Sequence, residues 1–218
     1  MITKYGIDVV VRCFLLATLI TVWAVVLIRI ETVRYATIGV VGVAMLLVLN
    51  FFRDPDRSIP KDAGNAVLSP ADGRIVLIED VFEPEYLKED AIQVSIFMSP
   101  LDVHVNRFPI SGRIEHVRHV EGEFIAAFDD KSSERNERMH IGIRRDDGYS
   151  LLFKQVAGAV ARRIVADVAV GQNSTTGERF GMIKFGSRVD VIMPKRTTVD
   201  VKLHDRVVAG ETILAHLA

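Results

Sequence analysis

A chain of 218 residues can bury one sizeable core or two small ones. Its 27 Lys and Arg against 28 Asp and Glu leave a net charge of −1, without the basic excess that a nucleic-acid partner would draw on. The single cysteine, Cys13, excludes a disulfide framework and a thiolate metal site.

Two apolar stretches come first. Cys13 to Ile28 (CFLLATLITVWAVVLI) and Ala36 to Phe52 (ATIGVVGVAMLLVLNFF) contain no charged residue. Each is close to the ~17–20 residues that cross a bilayer as a helix. The polar segment RIETVRY separates them, so the pattern predicts a helical hairpin in a membrane. A signal peptide would show one apolar stretch and a small-residue cleavage site, whereas here a second run follows at once. Lys4 and Arg12 precede the hairpin and Arg53, Arg57 and Lys61 follow it, against Arg29 and Arg34 with Glu31 in the connection. That bias puts the rest of the chain on the cytoplasmic side of the cell membrane. FFRDPDRSIP, with two prolines and alternating charges, ends the second helix. The expected division is a hairpin and linker over 1–60 and a second domain over 61–218.

From Asn65 onward the rhythm changes to short runs rich in Val and Ile, bounded by Gly, Pro or Asp. Among them are AVLSP, GRIVLIED, IQVSIFM, HVNRFP, GRIEHVRHV, HIGIRR, YSLLFKQV, GMIKFGSRVDVIMP and ETILAHL. They are too short for helices and predict a mainly β fold, an antiparallel sandwich or barrel. ADGRIVLIED near the start and VKLHDRVVAGETILAHL at the end have the strand, turn and strand rhythm of lipoyl-carrier-like elements. The charged, aperiodic EGEFIAAFDDKSSERNERM reads as an exposed excursion able to cover a site. Asn173-Ser174-Thr175 reads as a loop, and Arg162 and Arg163 as cations available to anionic headgroups.

Several chemistries lack their residues. The six histidines form no HExxH or comparable ligand cluster, and His116 and His119, three apart in a strand, point to opposite faces, so no metal site is expected. A G-x-S-x-G nucleophile elbow and a phosphate loop are also missing from the sequence. One oddity remains, Gly186-Ser187 in the middle of a segment patterned as a buried strand, where glycine packs poorly and is costly to order. Most such pairs are turns or bulges. The alternative is chemical. A serine hydroxyl can attack the carbonyl of the residue before it, given a base and donors for the oxyanion, and glycine opens the bent conformations this needs. The resulting ester can eliminate to dehydroalanine, which hydrolyses to a pyruvoyl group, a ketone able to serve as an electron sink for decarboxylation.

Four motifs bear on that choice: FFRDPDRSIP, SPADGRI, MSPLDVHVNRFPISG and ERFGMIKFGSRVDV. Together they resemble the phosphatidylserine decarboxylases, in particular the short archaeal-type form also found in bacteria. The motifs occur in the family's order and span nearly the whole chain. The resemblance implies a proenzyme that cuts itself between Gly186 and Ser187 into a β chain (1–186) and an α chain (187–218), which stay together as a heterodimer able to assemble further. It implies a pyruvoyl group made from Ser187 and a membrane phospholipid substrate, phosphatidylserine, converted to phosphatidylethanolamine and carbon dioxide. His104 matches the family histidine after the Ser-Pro-x-Asp element and is expected to donate a proton in catalysis and to take part in cleavage. Asp72 matches the acidic member of the cleavage triad. Asp102, two residues before His104, would share its face on a regular strand.

The motif departs from the longer bacterial form, which carries a second histidine three residues after the first. Here Arg107 stands in that place. Two readings stay open for the cleavage base: His104 serves both steps, or another group such as His140 enters the site. Arg107 could bind the lipid's phosphate or carboxylate, or be a solvated strand residue. The rival from another class is a non-catalytic membrane-anchored adaptor or carrier with a lipoyl-like barrel. Such a carrier would present a modifiable Lys at a hairpin tip, and the sequence offers no such motif.

Overall fold

Two helices of 21 residues each, α1 (Ile7–Leu27) and α2 (Glu31–Phe51), account for the apolar N-terminal runs in the computed structural model, which describes residues 1–122, 136–158, 163–184 and 187–217. Both begin earlier than the charge-free runs do. Asp8 and Glu31 sit in the first turns, where the helix dipole favours an acid, and each meets an arginine on the same helix, Arg12 and Arg34, at 3.4 Å. The connection therefore shrinks from the expected seven-residue loop to Ile28–Ile30. Mean hydropathy reaches 2.4 and 1.9 over the two helices, yet 6% and 0% of those windows are buried. Side chains such as Leu15, Val26 and Leu46 point outward, which suits lipid rather than the interior of a soluble core. The hairpin is closed at its base by Thr3 N donating to Phe52 O (2.9 Å) and Asp54 N to Met1 O (2.7 Å). Gly6 makes this possible, because a Cβ there would fall 2.0 Å from the Phe52 ring.

Met1–Pro55 forms one unit and Asp56–Ala218 a second. The second contains the strands β1 (Ala66–Leu68), β2 (Gly73–Glu83), β3 (Glu89–Met98), β4 (Val105–Arg107), β5 (Gly112–Val120), β6 (Arg138–Arg144), β7 (Ser150–Ala157), β8 (Arg163–Ala166), β9 (Asn173–Ser174), β10 (Arg179–Lys184), β11 (Ser187–Pro194), β12 (Thr198–Val199), β13 (Arg206–Val207) and β14 (Ile213–His216). An eight-stranded antiparallel sheet runs in the order β13-β2-β3-β11-β7-β6-β5-β9, and two three-stranded sheets run β1-β14-β12 and β4-β10-β8. The mainly β expectation holds. Both ends of this unit pair with each other, β1 with β14 and β2 with β13.

Strict alternation along β11 sets the core. Val189, Val191 and Met193 join Val94, Ile96, Ile141, Ile143 and Phe153 in one apolar cluster, while Arg188 and Asp190 face the other way. Phe180 stacks on Phe108 at 4.9 Å and meets Phe153 edge-on at 5.2 Å between ring centroids, linking the small sheet of β10 to the large one. The segment GMIKFGSRVDVIMP is thus two strands in two different sheets. β10 ends at Lys184 in the small sheet and β11 begins at Ser187 in the large one. Phe185 and Gly186 lie outside the described residues.

Candidate active site

Ser187 opens β11 with Met98 of β3 on one side and Ala157 of β7 on the other. It is fully buried, and among the described residues no hydrogen-bond partner reaches its Oγ. A buried hydroxyl in that condition is costly, so the position asks for a purpose. Its row partners are held too, since Asn136 Nδ2 donates to Ala157 O at 2.6 Å.

The chain leaves β3 at Met98, opposite Ser187, and turns back through Ser99 to His104. Asp102 closes this turn. Its carboxylate accepts from Ser99 N (2.8 Å) and from Arg206 Nη2 (2.8 Å), and its own amide donates to Ser99 O (2.8 Å). His104 follows, fully buried, with Nδ1 2.9 Å from the Asp102 carbonyl oxygen. A carbonyl can only accept, so Nδ1 carries the proton and Nε2 is the basic nitrogen. Asp102 and His104 precede β4 rather than lying on a strand. What joins them is a backbone carbonyl, not a shared strand face.

β4 carries the next two groups. Asn106 accepts from Gln155 Nε2 at 2.8 Å, and its own Nδ2 lies 3.4 Å from Pro70 O and 3.8 Å from Met98 Sδ. Gln155 stands opposite Val189, on the face of the sheet that also holds Ser187. Asn106 and Gln155 are fully buried neutral polar residues beside the serine, and sequence reasoning missed them. HVNRFP contained Asn106, but nothing local announces a partner 49 positions away. Arg107 is 5% exposed, so the solvated-strand reading fails. Its Nη1 donates to Gly177 O at 2.9 Å and its amide to Pro70 O at 2.9 Å.

Asp72 lies two residues beyond Pro70. Arg57 Nη2 reaches both its carboxylate oxygens at 2.7 and 2.9 Å, and Ala209 N donates to it at 2.8 Å. Burial nevertheless keeps its pKa above the ordinary 3.8, against the pull of Ala209 and Arg57, and the neighbouring Asp102 adds to the rise. Asp72, Asp102, His104 and Arg107 are therefore drawn together by the segment 69–72, the turn after β3, β4 and the stretch 206–210.

His140 is different. It stands opposite Lys154, which stands opposite Asp190, so its side chain projects from the face of the sheet opposite Ser187. Burial and the Lys154 charge push it down to about 4, while Glu85 accepts from its Nδ1 at 2.8 Å. Glu85 is itself held down to about 2, because hydrogen bonds from Arg118 and His140 outweigh its own burial. A cavity of about 490 Å³ on this same face is lined by Gln93, Lys154, Arg188, Ile192, Glu79 and Glu83, and it too is turned away from the serine.

Ser187 is thus buried at a strand start, with the buried amides of Gln155 and Asn106 close by and a buried imidazole in the segment that leaves Met98, which makes this a candidate catalytic centre. The family model described as phosphatidylserine decarboxylase matches residues 44–215. Among similar proteins named phosphatidylserine decarboxylase proenzyme, that of Salinibacter ruber is 48% identical over 83% of this chain and 79% of its own length. The one from Symbiobacterium thermophilum is 45% identical over 85% and 86%, and that of Chlorobium phaeobacteroides (strain BS1) is 42% identical over the full length of both. The chain belongs to the phosphatidylserine decarboxylase family. It is an enzyme, and the adaptor reading is set aside.

Proposed function

We propose that this chain converts phosphatidylserine to phosphatidylethanolamine and carbon dioxide after cutting itself between Gly186 and Ser187. The observation that carries the reading is the state of Ser187: buried, unpartnered at Oγ among the described residues, and first in a strand whose predecessor belongs to another sheet. Ser187 Oγ attacks the carbonyl carbon of Gly186, the C–N bond breaks, and the acyl group moves to oxygen. Loss of the Ser187 α-proton then expels the Gly186 carboxylate and leaves dehydroalanine. Water replaces its nitrogen, ammonia departs, and a pyruvoyl group heads the α chain (187–218). After scission β10 and β11 still pair with their own sheets, which holds the β chain (1–186) and α chain together as a heterodimer.

His104 is assigned as the base for cleavage and as the proton donor in the later reaction. Its Nδ1 is spent on the Asp102 carbonyl, so Nε2 is the nitrogen that exchanges protons. Its rival, His140, faces away. A pyruvoyl group condenses with primary amines and withdraws electrons from the bond to an adjacent carboxylate, which is the chemistry decarboxylation requires. The residues fit such a group, because Ser187 is buried, Asn106 and Gln155 supply neutral hydrogen-bonding atoms, and its two partners in the sheet, Met98 and Ala157, carry no charge. Asp102 positions His104 through its carbonyl, and Asp72 with Arg57 supplies a charged pair behind it. Arg107, a buried cation whose Nη1 donates to Gly177 O, is assigned to the phosphate or carboxylate of the lipid. The apolar helical pair keeps the enzyme in the cell membrane beside its substrate, with the β unit on the cytoplasmic side.

Mass spectrometry of the purified protein tests this. Two chains are expected, the smaller one starting at position 187 with the mass of a ketoacyl terminus and resistant to Edman degradation. A single intact chain in an active preparation overturns the proposal.

A further inference from the structure

Glu85, His116 and His140 converge on the face of the large sheet opposite Ser187. His116 Nε2 lies 3.2 Å from Glu85 Oε1 and His140 Nδ1 lies 2.8 Å from Glu85 Oε2, and one candidate ligand atom from each residue falls within 4.8 Å of the others. The three come from separate parts of the chain. Arg118 pairs with His140 and His116 with Gly142 across β5 and β6, which makes the two imidazoles diagonal neighbours on one face. Glu85 comes from the turn between β2 and β3. There the Glu83 carboxylate accepts from the amides of Glu85, Tyr86 and Leu87 at 3.1, 2.8 and 2.7 Å, which fixes the turn. Gly142 lets that turn lie on the sheet, since a Cβ would meet the Tyr86 ring at 2.8 Å, and the same ring sits 5.8 Å from that of His116.

We propose that Glu85, His116 and His140 bind a divalent transition metal of the zinc class, clamping the β2–β3 turn onto β5 and β6. Donors held at ~2.0–2.1 Å around one tetrahedral ion stand about 3.3 Å apart; the two Glu85–histidine distances, 3.2 and 2.8 Å to different carboxylate oxygens, lie near that spacing, and donors that stand up to 4.8 Å apart would close in around the ion. Two imidazoles and a carboxylate suit Zn²⁺, Co²⁺ or Ni²⁺ and leave a position for water. The His140 side chain is 6% exposed, and binding through Nδ1 moves the proton it now gives to Glu85 onto Nε2, which finds no hydrogen-bond partner among the described residues. Arg118 Nη1, 2.8 Å from Glu85 Oε1, orients the carboxylate from the open side. With Lys154 opposite His140, Arg118 also makes the surroundings positive, which moderates affinity for a cation.

The test uses the full chain in detergent, stripped with a chelator and titrated with Co²⁺ while the visible ligand-field absorption is followed. One saturable equivalent per chain is expected, displaced by Zn²⁺. Glu85→Gln and His116→Gln should each weaken binding about tenfold or more. His116 is partly exposed, so its variant should fold, and circular dichroism checks that it does. His119→Gln should bind as wild type, because His119 pairs with Glu137 at 3.0 Å and alternates to the other face from His116. Absence of a saturable cobalt band in wild type, or a band unchanged in both variants, overturns the site.

Discussion

The two faces of β11 carry opposite kinds of polar group. On the inner face Ser187 and Gln155 are polar and buried, and Gln155 donates to the equally buried Asn106. On the outer face Arg188 Nε donates to Asp190 Oδ1 at 2.6 Å and Nη2 to Ser95 Oγ at 2.8 Å, with Gln93 completing the set. The lesson is a division of labour. Charges that satisfy one another hold the outer face, and the inner face leaves the Ser187 hydroxyl without a partner among the described residues. Because the side-chain period of a strand is two, a slip of one residue would exchange the faces, so the register with β3 and β7 fixes the face that Ser187 occupies.

The sharpest way to break the contrast is to treat the faces alike. Ser187→Ala removes the inner hydroxyl, whose Oγ has no described partner, so the fold should survive. Denaturing gels should show one uncut band and decarboxylation should be undetectable. Asp190→Ala on the outer face should do the reverse, costing ~3–5 kcal/mol in urea unfolding by leaving the Arg188 guanidinium buried and uncompensated. Replacing both, Arg188→Met with Asp190→Leu, should recover most of that loss. If Asp190→Ala unfolds no earlier than wild type, the outer pair is not what holds the strand.

Much of this was legible in the sequence, for a physical reason in each case. The helical pair declares itself by uninterrupted apolar runs, and only its ends moved, because Asp8 and Glu31 are tolerated at helix starts. The mainly β unit shows in its short Val- and Ile-rich segments. Gly186-Ser187 stood out through its own chemistry and four flanking motifs. What stayed hidden depends on register between distant strands. No local pattern says that β10 and β11 belong to different sheets, that Asn106 meets Gln155, or that Glu85, His116 and His140 meet at all. The Asp102 to His104 link was hidden because it runs through a backbone carbonyl, which carries no residue signature.

A smaller effect tests the inner face without touching the serine. Gln155→Leu keeps the volume close and removes the donor to Asn106 Oδ1, which leaves a buried acceptor unsatisfied. The expected cost is about 1–3 kcal/mol in urea unfolding. If Asn106 and Gln155 also align the groups around Ser187, cleavage half-time should lengthen beyond what lost stability explains. Asn106→Leu together with Gln155→Leu should restore stability but not cleavage. A double variant that cleaves at the wild-type rate would reduce the pair to packing.

The smallest effect is expected at Arg206, which joins Asp102 from the solvent side. The Arg206 side chain is 73% exposed and that of Asp102 only 10%, so this is an ion pair with one partner in water. Such pairs contribute about 0–1 kcal/mol, and Arg206→Ala should barely shift the unfolding midpoint. Its catalytic consequence should be larger in proportion. Asp102 loses one of its two side-chain partners and keeps Ser99 N, so the turn persists but its carbonyl, which sets the His104 tautomer, is held less firmly. A fall in kcat of severalfold with KM unchanged is therefore expected, and Arg206→Lys should recover part of it by restoring the charge. A rise in KM or a loss of stability instead, with kcat intact, would mean that the Asp102 turn does not transmit its geometry to the imidazole.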